Sequence, residues 1–120
     1  LHEEHHKLAR LACENSAVLL KNEGGILPVG EKVQAAIIGD FAFDPRYQGA
    51  GSSMVNSTKV DSIKDMLETS GISVTGIVRG YQRDGKEDEA MKKEAVDLAR
   101  RSDVVLFFLR TERKKRDRRS

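Results

Sequence analysis

The chain has 120 residues, of which 38% are hydrophobic and 33% charged. That mix describes a globular chain long enough for one core and one domain, and it excludes a low-complexity polymer. No apolar run approaches the ~18 residues of a membrane span, and the single cysteine, Cys13, excludes an internal disulfide framework. The net charge of +2 is uneven: residues 110–120 hold seven of the 21 Lys+Arg and two of the 19 Asp+Glu, so that stretch carries +5 and the rest −3. The basic character of the chain therefore belongs to its last eleven residues. The opening Leu1-His-Glu-Glu-His-His has no basic segment followed by an apolar one. A secretory signal is not expected, and a cytoplasmic location is.

Leu8, Leu11, Ala12, Asn15, Val18 and Leu19 recur at three- and four-residue steps. They predict a helix from Glu3 to about Lys21 with these residues on one face. Gly24 and Gly25 predict its end, through a positive-φ cap. Ile26-Leu-Pro-Val29 is an apolar connector that needs packing, and Pro28 bars it from a helix interior. Gln34-Ala-Ala-Ile-Ile-Gly39 predicts a buried strand. A long loop rich in Gly and Ser follows, from Asp40 to Asn56. Ser57 or Asp61 then caps a predicted helix to about Thr69, with Val60, Ile63, Met66 and Leu67 facing inward. Ile72 to Val78 is the second predicted strand, and Gly80 to Lys86 a polar loop. Glu87 to Arg101 predicts a helix with acids first and arginines last, as the helix dipole favours. Its inner face is Ala90 or Met91, Glu94 or Ala95, Leu98 and Ala99. Asp103 to Leu109 is the third predicted strand and the most apolar segment.

Strands alternating with helices imply right-handed crossovers and an α/β fold. The expected architecture is a three-layer sandwich: a mainly parallel sheet of about three strands, strand 34–38 in the middle, helices on both faces. It occupies residues 1–109. Residues 110–120 read as a basic, disordered and solvated tail, in preference to a phosphate-binding arm, so no nucleic-acid partner is expected. Ligands of such sheets collect outside the carboxyl ends of the strands. Those ends are Gly39-Asp40, Arg79-Gly80-Tyr81 and Leu109-Arg110.

Three segments could carry chemistry. His2-Glu3-Glu4-His5-His6 matches H-E-x-x-H, but it lies at a chain terminus and no further histidine exists to complete a zinc site, so a solvated helical turn is the expectation. Gly49-Ala-Gly51-Ser52-Ser53 lacks the lysine of a P-loop, has Met54 where a dinucleotide fingerprint needs glycine, and starts ten residues after the strand. No nucleotide or other cofactor is expected. The third reading takes Asp40 to Asn56 as a whole. Loops this long without regular structure are commonly functional. Asp40, Arg46, Tyr47, Gln48, Ser52 and Ser53 suit sugar hydroxyls, and Gly49 and Gly51 let backbone approach a ligand or a neighbouring domain closely. A domain-packing loop is the equal alternative.

The residues here carry a resemblance. Leu8-Ala-Arg-Leu-Ala-Cys-Glu-Asn-Ser-Ala-Val-Leu-Leu-Lys-Asn-Glu-Gly-Gly-Ile-Leu-Pro28, Val33-Gln-Ala-Ala-Ile-Ile-Gly-Asp-Phe-Ala42 and Asp44-Pro-Arg-Tyr-Gln-Gly-Ala-Gly-Ser-Ser-Met-Val-Asn56 follow one another in order. They resemble the opening, first strand and glycine-serine loop of the second domain of family-3 glycoside hydrolases. The likeness covers residues 1 to about 109. It implies a partial copy of that domain, β-glucosidase-type or related exo-acting chemistry on a β-glycoside, and a retaining double displacement with two carboxylates. It also implies a partner, a TIM-type barrel that brings the aspartate nucleophile. The family's acid/base glutamate usually stands near a Glu-Gly-x-Asp-Arg string beyond the third strand. Arg116-Asp117-Arg118 is similar to the end of that string, but Lys114 and Lys115 stand in place of Glu-Gly, and Glu112 is in a different context. No catalytic residue is therefore expected in this chain. The expected role is a glycosidase fragment that binds substrate or packs domains and is inactive alone; the alternative is a free-standing, non-catalytic α/β binding module. The apolar strand 103–109 is expected to be an edge that pairs copies into a homo-oligomer.

Overall fold

A computed structural model describes residues 1–48, 52 and 54–109; the expectations placed on Gly49, Gly51, Ser53 and residues 110–120 lie outside the described residues. The chain divides into two compact units, Leu1–Gly30 and one that begins at Glu31.

In the first unit, helix α1 spans His2–Ser16 and ends five residues before the periodicity predicts. Its last turn bends onto itself: the Asn15 side-chain amide donates to the Leu11 carbonyl at 2.8 Å and the Ser16 hydroxyl to Ala12 at 2.6 Å. Such side-chain bonds compete with the continuing ladder, and Ala17 is extended. The predicted inner face is exposed, with Leu8, Leu11, Val18 and Leu19 all more than half accessible. Gly24 and Gly25 do take positive φ, but in a separate 3₁₀ turn, Glu23–Gly25, and not as the cap of α1. Asn22 closes that turn, donating to the Leu27 carbonyl at 2.8 Å and accepting from the Leu27 amide at 3.0 Å. Ile26 and Leu27 of the connector stay exposed.

The second unit is an α/β fold on a three-stranded parallel sheet. Its strands are β1 (Gln34–Ile38), β2 (Ser73–Val78) and β3 (Val104–Phe107), in the order β2-β1-β3. The middle strand is buried on both faces, Ala35, Ala36, Ile37 and Ile38 being at most 3% exposed. This follows from its composition: an unbroken apolar run flanked on both sides by ladder partners. Helix α3 (Glu89–Arg100) packs against β2 and β1. Ala95 and Leu98 meet Ala36 and Ile38, with Val78 and Ala99 at the margin. Of the predicted alternatives for the inner face, Ala95 is buried where Glu94 is not, and Met91 is half-buried where Ala90 is not. The register of β1 on β2 slips between Ala35 and Ala36, leaving Thr75 as the extra residue of a bulge with its buried hydroxyl unpartnered. The bulge seats Gly76 under Leu98, where a Cβ would come within 2.9 Å of Leu98 Cδ1.

The segment before β2 differs most from expectation. Neither Ser57 nor Asp61 caps it. Ser62 does, accepting from the Asp65 amide at 3.1 Å, and helix α2 runs only over Ile63–Met66 before a 3₁₀ turn, Leu67–Thr69. Met66 and Leu67 are half-buried as predicted, while Val60 and Ile63 are exposed. The β-branched pair of Val60 and Ile63 brackets polar Asp61 and Ser62, whose side chains favour the cap over a helix interior.

Candidate functional site

The carboxyl ends of the three strands meet at Gly39. Its amide donates to the Val78 carbonyl at 3.0 Å, and the preceding carbonyl, of Ile38, accepts from Phe108 at 2.8 Å. Gly39 has φ 133°, and a Cβ there would strike the Phe108 carbonyl, so only glycine lets the chain turn this close to β3. The turn continues as a short 3₁₀ helix, Asp40–Ala42, in which the Phe43 and Asp44 amides both donate to the Asp40 carbonyl at 3.1 Å.

This turn faces Asp40 towards the exit of β2. The Asp40 side chain is 8% exposed, and its two oxygens accept from Arg79 Nη1 and Arg83 Nε. Asp44 adds a second, exposed carboxylate: its Oδ2 lies 3.3 Å from Arg79 Nη1 and 3.7 Å from Arg83 Nη2, and its backbone carbonyl accepts from Arg83 Nη2 at 2.8 Å. Two aspartates thus balance two arginines. Each guanidinium also lies over a ring of the same turn, Arg79 over Phe43 at 4.6 Å and Arg83 over Phe41 at 4.9 Å. A planar guanidinium suits this double use, with its edge on carboxylate and its face on an aromatic ring.

The third strand end is tied in through Tyr81. Its hydroxyl donates to the Phe108 carbonyl at 2.7 Å, and its ring stacks on Phe107 with centroids 6.4 Å apart. Burial raises the pKa of the Tyr81 phenol, and the Phe41 backbone draws it partly back. The phenol therefore stays protonated and serves as a donor. Next to it Gln82 donates to Asp88 at 2.9 Å, and Asp88 also caps α3 by accepting from the Met91 amide at 3.0 Å.

The residues expected to bind sugar divide into two groups. Asp40 is buried in the arginine pair, whereas Arg46, Tyr47 and Ser52 are exposed. Gln48 uses both ends of its amide on one residue, accepting from the Val55 amide at 2.9 Å and donating to the Val55 carbonyl at 3.2 Å. It thereby closes the loop at its neck, as Asn22 closes the turn before Leu27. Sequence reasoning marked Arg79-Gly80-Tyr81 as a strand end but gave Arg79 no role, and it missed Arg83, Phe41 and Phe43. The available signal was the facing pair of strand exits, each rich in one sign of charge: Asp40 and Asp44 after β1, Arg79 and Arg83 after β2. Among the described residues no group of three or more His, Cys, Asp or Glu could hold a metal ion, and no helix is long and apolar enough to cross a membrane.

Residues 17–120 match the sequence profile of the glycosyl hydrolase family 3 C-terminal domain. The chain is 41% identical over 108 residues to Thermostable beta-glucosidase B of Acetivibrio thermocellus, covering 87% of this chain and 14% of that protein. It is 40% identical over 115 residues to an Exo-alpha-(1->6)-L-arabinopyranosidase of Bifidobacterium longum, covering 88% of this chain and 15% of that protein. The crystal structure of a GH3 beta-glucosidase from Bifidobacterium adolescentis superposes with a TM-score of 0.80 at 42% identity, over 89% of this chain and 16% of that one. The chain thus spans about a seventh of the length of the relatives it matches, and it belongs to glycoside hydrolase family 3, within that family's C-terminal α/β domain.

Proposed function

We propose that this chain serves hydrolysis of O-glycosidic bonds as the loop-bearing part of a β-glucosidase-like enzyme, and that it does not cleave the bond alone. The reading rests on one observation above the others: the loop after Asp40 leaves the carboxyl end of the central strand with Arg46 and Tyr47 exposed. That is where parallel sheets meet their ligands. A β-glycoside would be met by Arg46, Tyr47, Ser52, Ser53 and the backbone of Gly49 and Gly51, with Asp40 and Gln48 at the base of the loop. A TIM-type barrel is the second partner, and it would bring the nucleophile. Retaining hydrolysis needs two carboxylates about 5–5.5 Å apart across one anomeric carbon. Asp40 and Asp44, the carboxylates at this crevice, are both engaged by Arg79 and Arg83, which supports a binding role and not a catalytic one. Pairing of copies through the 103–109 edge belongs to the same proposal.

The test is a titration of the isotopically labelled chain with methyl β-glucoside, run beside an assay with an aryl β-glucoside. The expected outcome is a set of saturable shifts at the Arg46, Tyr47 and Ser52 amides, with turnover at buffer background. Absence of shifts overturns the binding role. Reproducible turnover that disappears in Glu112→Gln overturns the claim of inactivity.

A further inference from the structure

We propose that Asp40, Arg79 and Arg83 are positioning residues, a three-membered lock that fixes the direction in which the 40–48 loop leaves the sheet. The inference rests on the carbohydrate-binding reading of that loop and assigns its base a different task from its tip. A buried carboxylate is costly to hold without partners. Asp40 has two, and both come from the segment after β2, outside the loop itself. The loop therefore cannot swing about Gly39 without pulling Asp40 out of both guanidinium groups. The arginines are held in turn: Arg79 by the Phe43 ring and Asp44, Arg83 by the Phe41 ring and the Asp44 carbonyl. Every one of those contacts lies within five residues of the turn and two residues or more before Arg46. The lock ends at Asp44, two residues before Arg46. Asp40 is thus spent on geometry, and any ligand contact falls to Arg46, Tyr47 and the residues beyond.

The lock makes a local demand that a general contribution to stability does not. Asp40→Asn keeps the side-chain shape and removes the charge that holds both arginines. Amide hydrogen exchange is expected to quicken by about tenfold or more at Ala42, Phe43 and Asp44, whose amides close the turn. Exchange in β1 and α3 should stay as in the parent chain. The Arg83 Nε–H resonance, shielded by Asp40, should exchange faster as well. Arg83→Lys keeps the charge but cannot serve Asp40 and the Asp44 carbonyl together, so it should loosen the same three amides. Should Asp40→Asn fail to fold, Arg83→Lys and Arg79→Gln, at half-exposed side chains, carry the test. Unchanged exchange at the three amides overturns the lock, and so does acceleration spread evenly through β1 and α3. With methyl β-glucoside, the shifts at Arg46 and Tyr47 should weaken in the variants; full shifts on a loosened turn overturn the positioning role. Loss of shifts in the parent chain removes the carbohydrate reading, while the exchange data still decide the lock.

Discussion

Gly39 shows how much one residue decides. It supplies the φ of 133° that turns the chain out of β1, and it leaves room for the Phe108 carbonyl against its Cα. Gly39→Ala would combine unfavourable backbone strain with a backbone clash that no side-chain rotation relieves, costing about 2–5 kcal/mol. That is a large share of the about 5–15 kcal/mol that holds a domain together. Denaturant unfolding followed by circular dichroism should show the loss, and a midpoint equal to that of the parent chain would contradict it. At this scale the sequence is legible where the backbone constrains the residue type, as at Gly39, whose place after an apolar run marked a strand end. It is less legible where side chains meet across space. Asp40 reads as a ligand residue in sequence because a carboxylate at a strand end is a ligand position. Its burial against Arg79 and Arg83, about forty residues away, depends on strand order and register, which no local pattern carries.

Helix α3 is the helix that the sequence described best, because its apolar spacing agrees with what it packs against, although it starts at Glu89 and not Glu87, with Asp88 as its cap. Asp88 holds its first turn, accepting from the Met91 amide and from Gln82, and these two bonds, the backbone one first, hold its carboxyl below the usual carboxylate range. A carboxylate with a depressed folded pKa contributes stability that is fully present above its unfolded value of about 3.9 and is lost as pH falls through the lower folded value. The melting temperature of the parent chain should therefore fall with pH below about 4 more steeply than that of Asp88→Asn, which keeps the cap acceptor without the titrating proton. Parallel melting curves for the two chains across that window would remove Asp88 as a contributor. Helices α1 and α2 were less legible for opposite reasons. The periodic face of α1 is genuine, yet nothing covers it within its own unit, and Asn15 and Ser16 end the helix early. In the segment of α2 the predicted inward positions hold only at Met66 and Leu67, since Ser62 caps the helix later than expected.

Among the described residues, no strand lies beside the outer edge of β3. The order β2-β1-β3 makes β3 an edge, and Phe108 N–H points to β1, so alternation directs the Val105 and Phe107 amides outward. The side chains of the same two residues lie in register with Ala36 and Ile38, on the face that α3 covers over β1. Helix α3 packs on β2 and β1, and Val105 and Phe107 remain 38% and 51% exposed, with Leu109 beyond them at 68%. An apolar edge with unpaired amides is a template for another strand. Burying each large side chain completely is worth about 1.5–3 kcal/mol, so two copies joined through β3 would gain from both chains at once. Geometry selects the pairing. Residues 110–120 carry +5 directly after this strand; parallel edges would bring the two charges together, whereas a twofold axis through antiparallel edges sets them at opposite ends. The expected species in sedimentation velocity is therefore a dimer whose Val105 and Phe107 amides exchange slowly. Phe107→Asp places a charge at the carboxyl end of β3 in each copy and should shift the chain to monomer while β1 and α3 keep their protection. A parent chain that sediments as a monomer at high concentration, with those two amides exchanging freely, would show that the edge is closed by something other than a second copy.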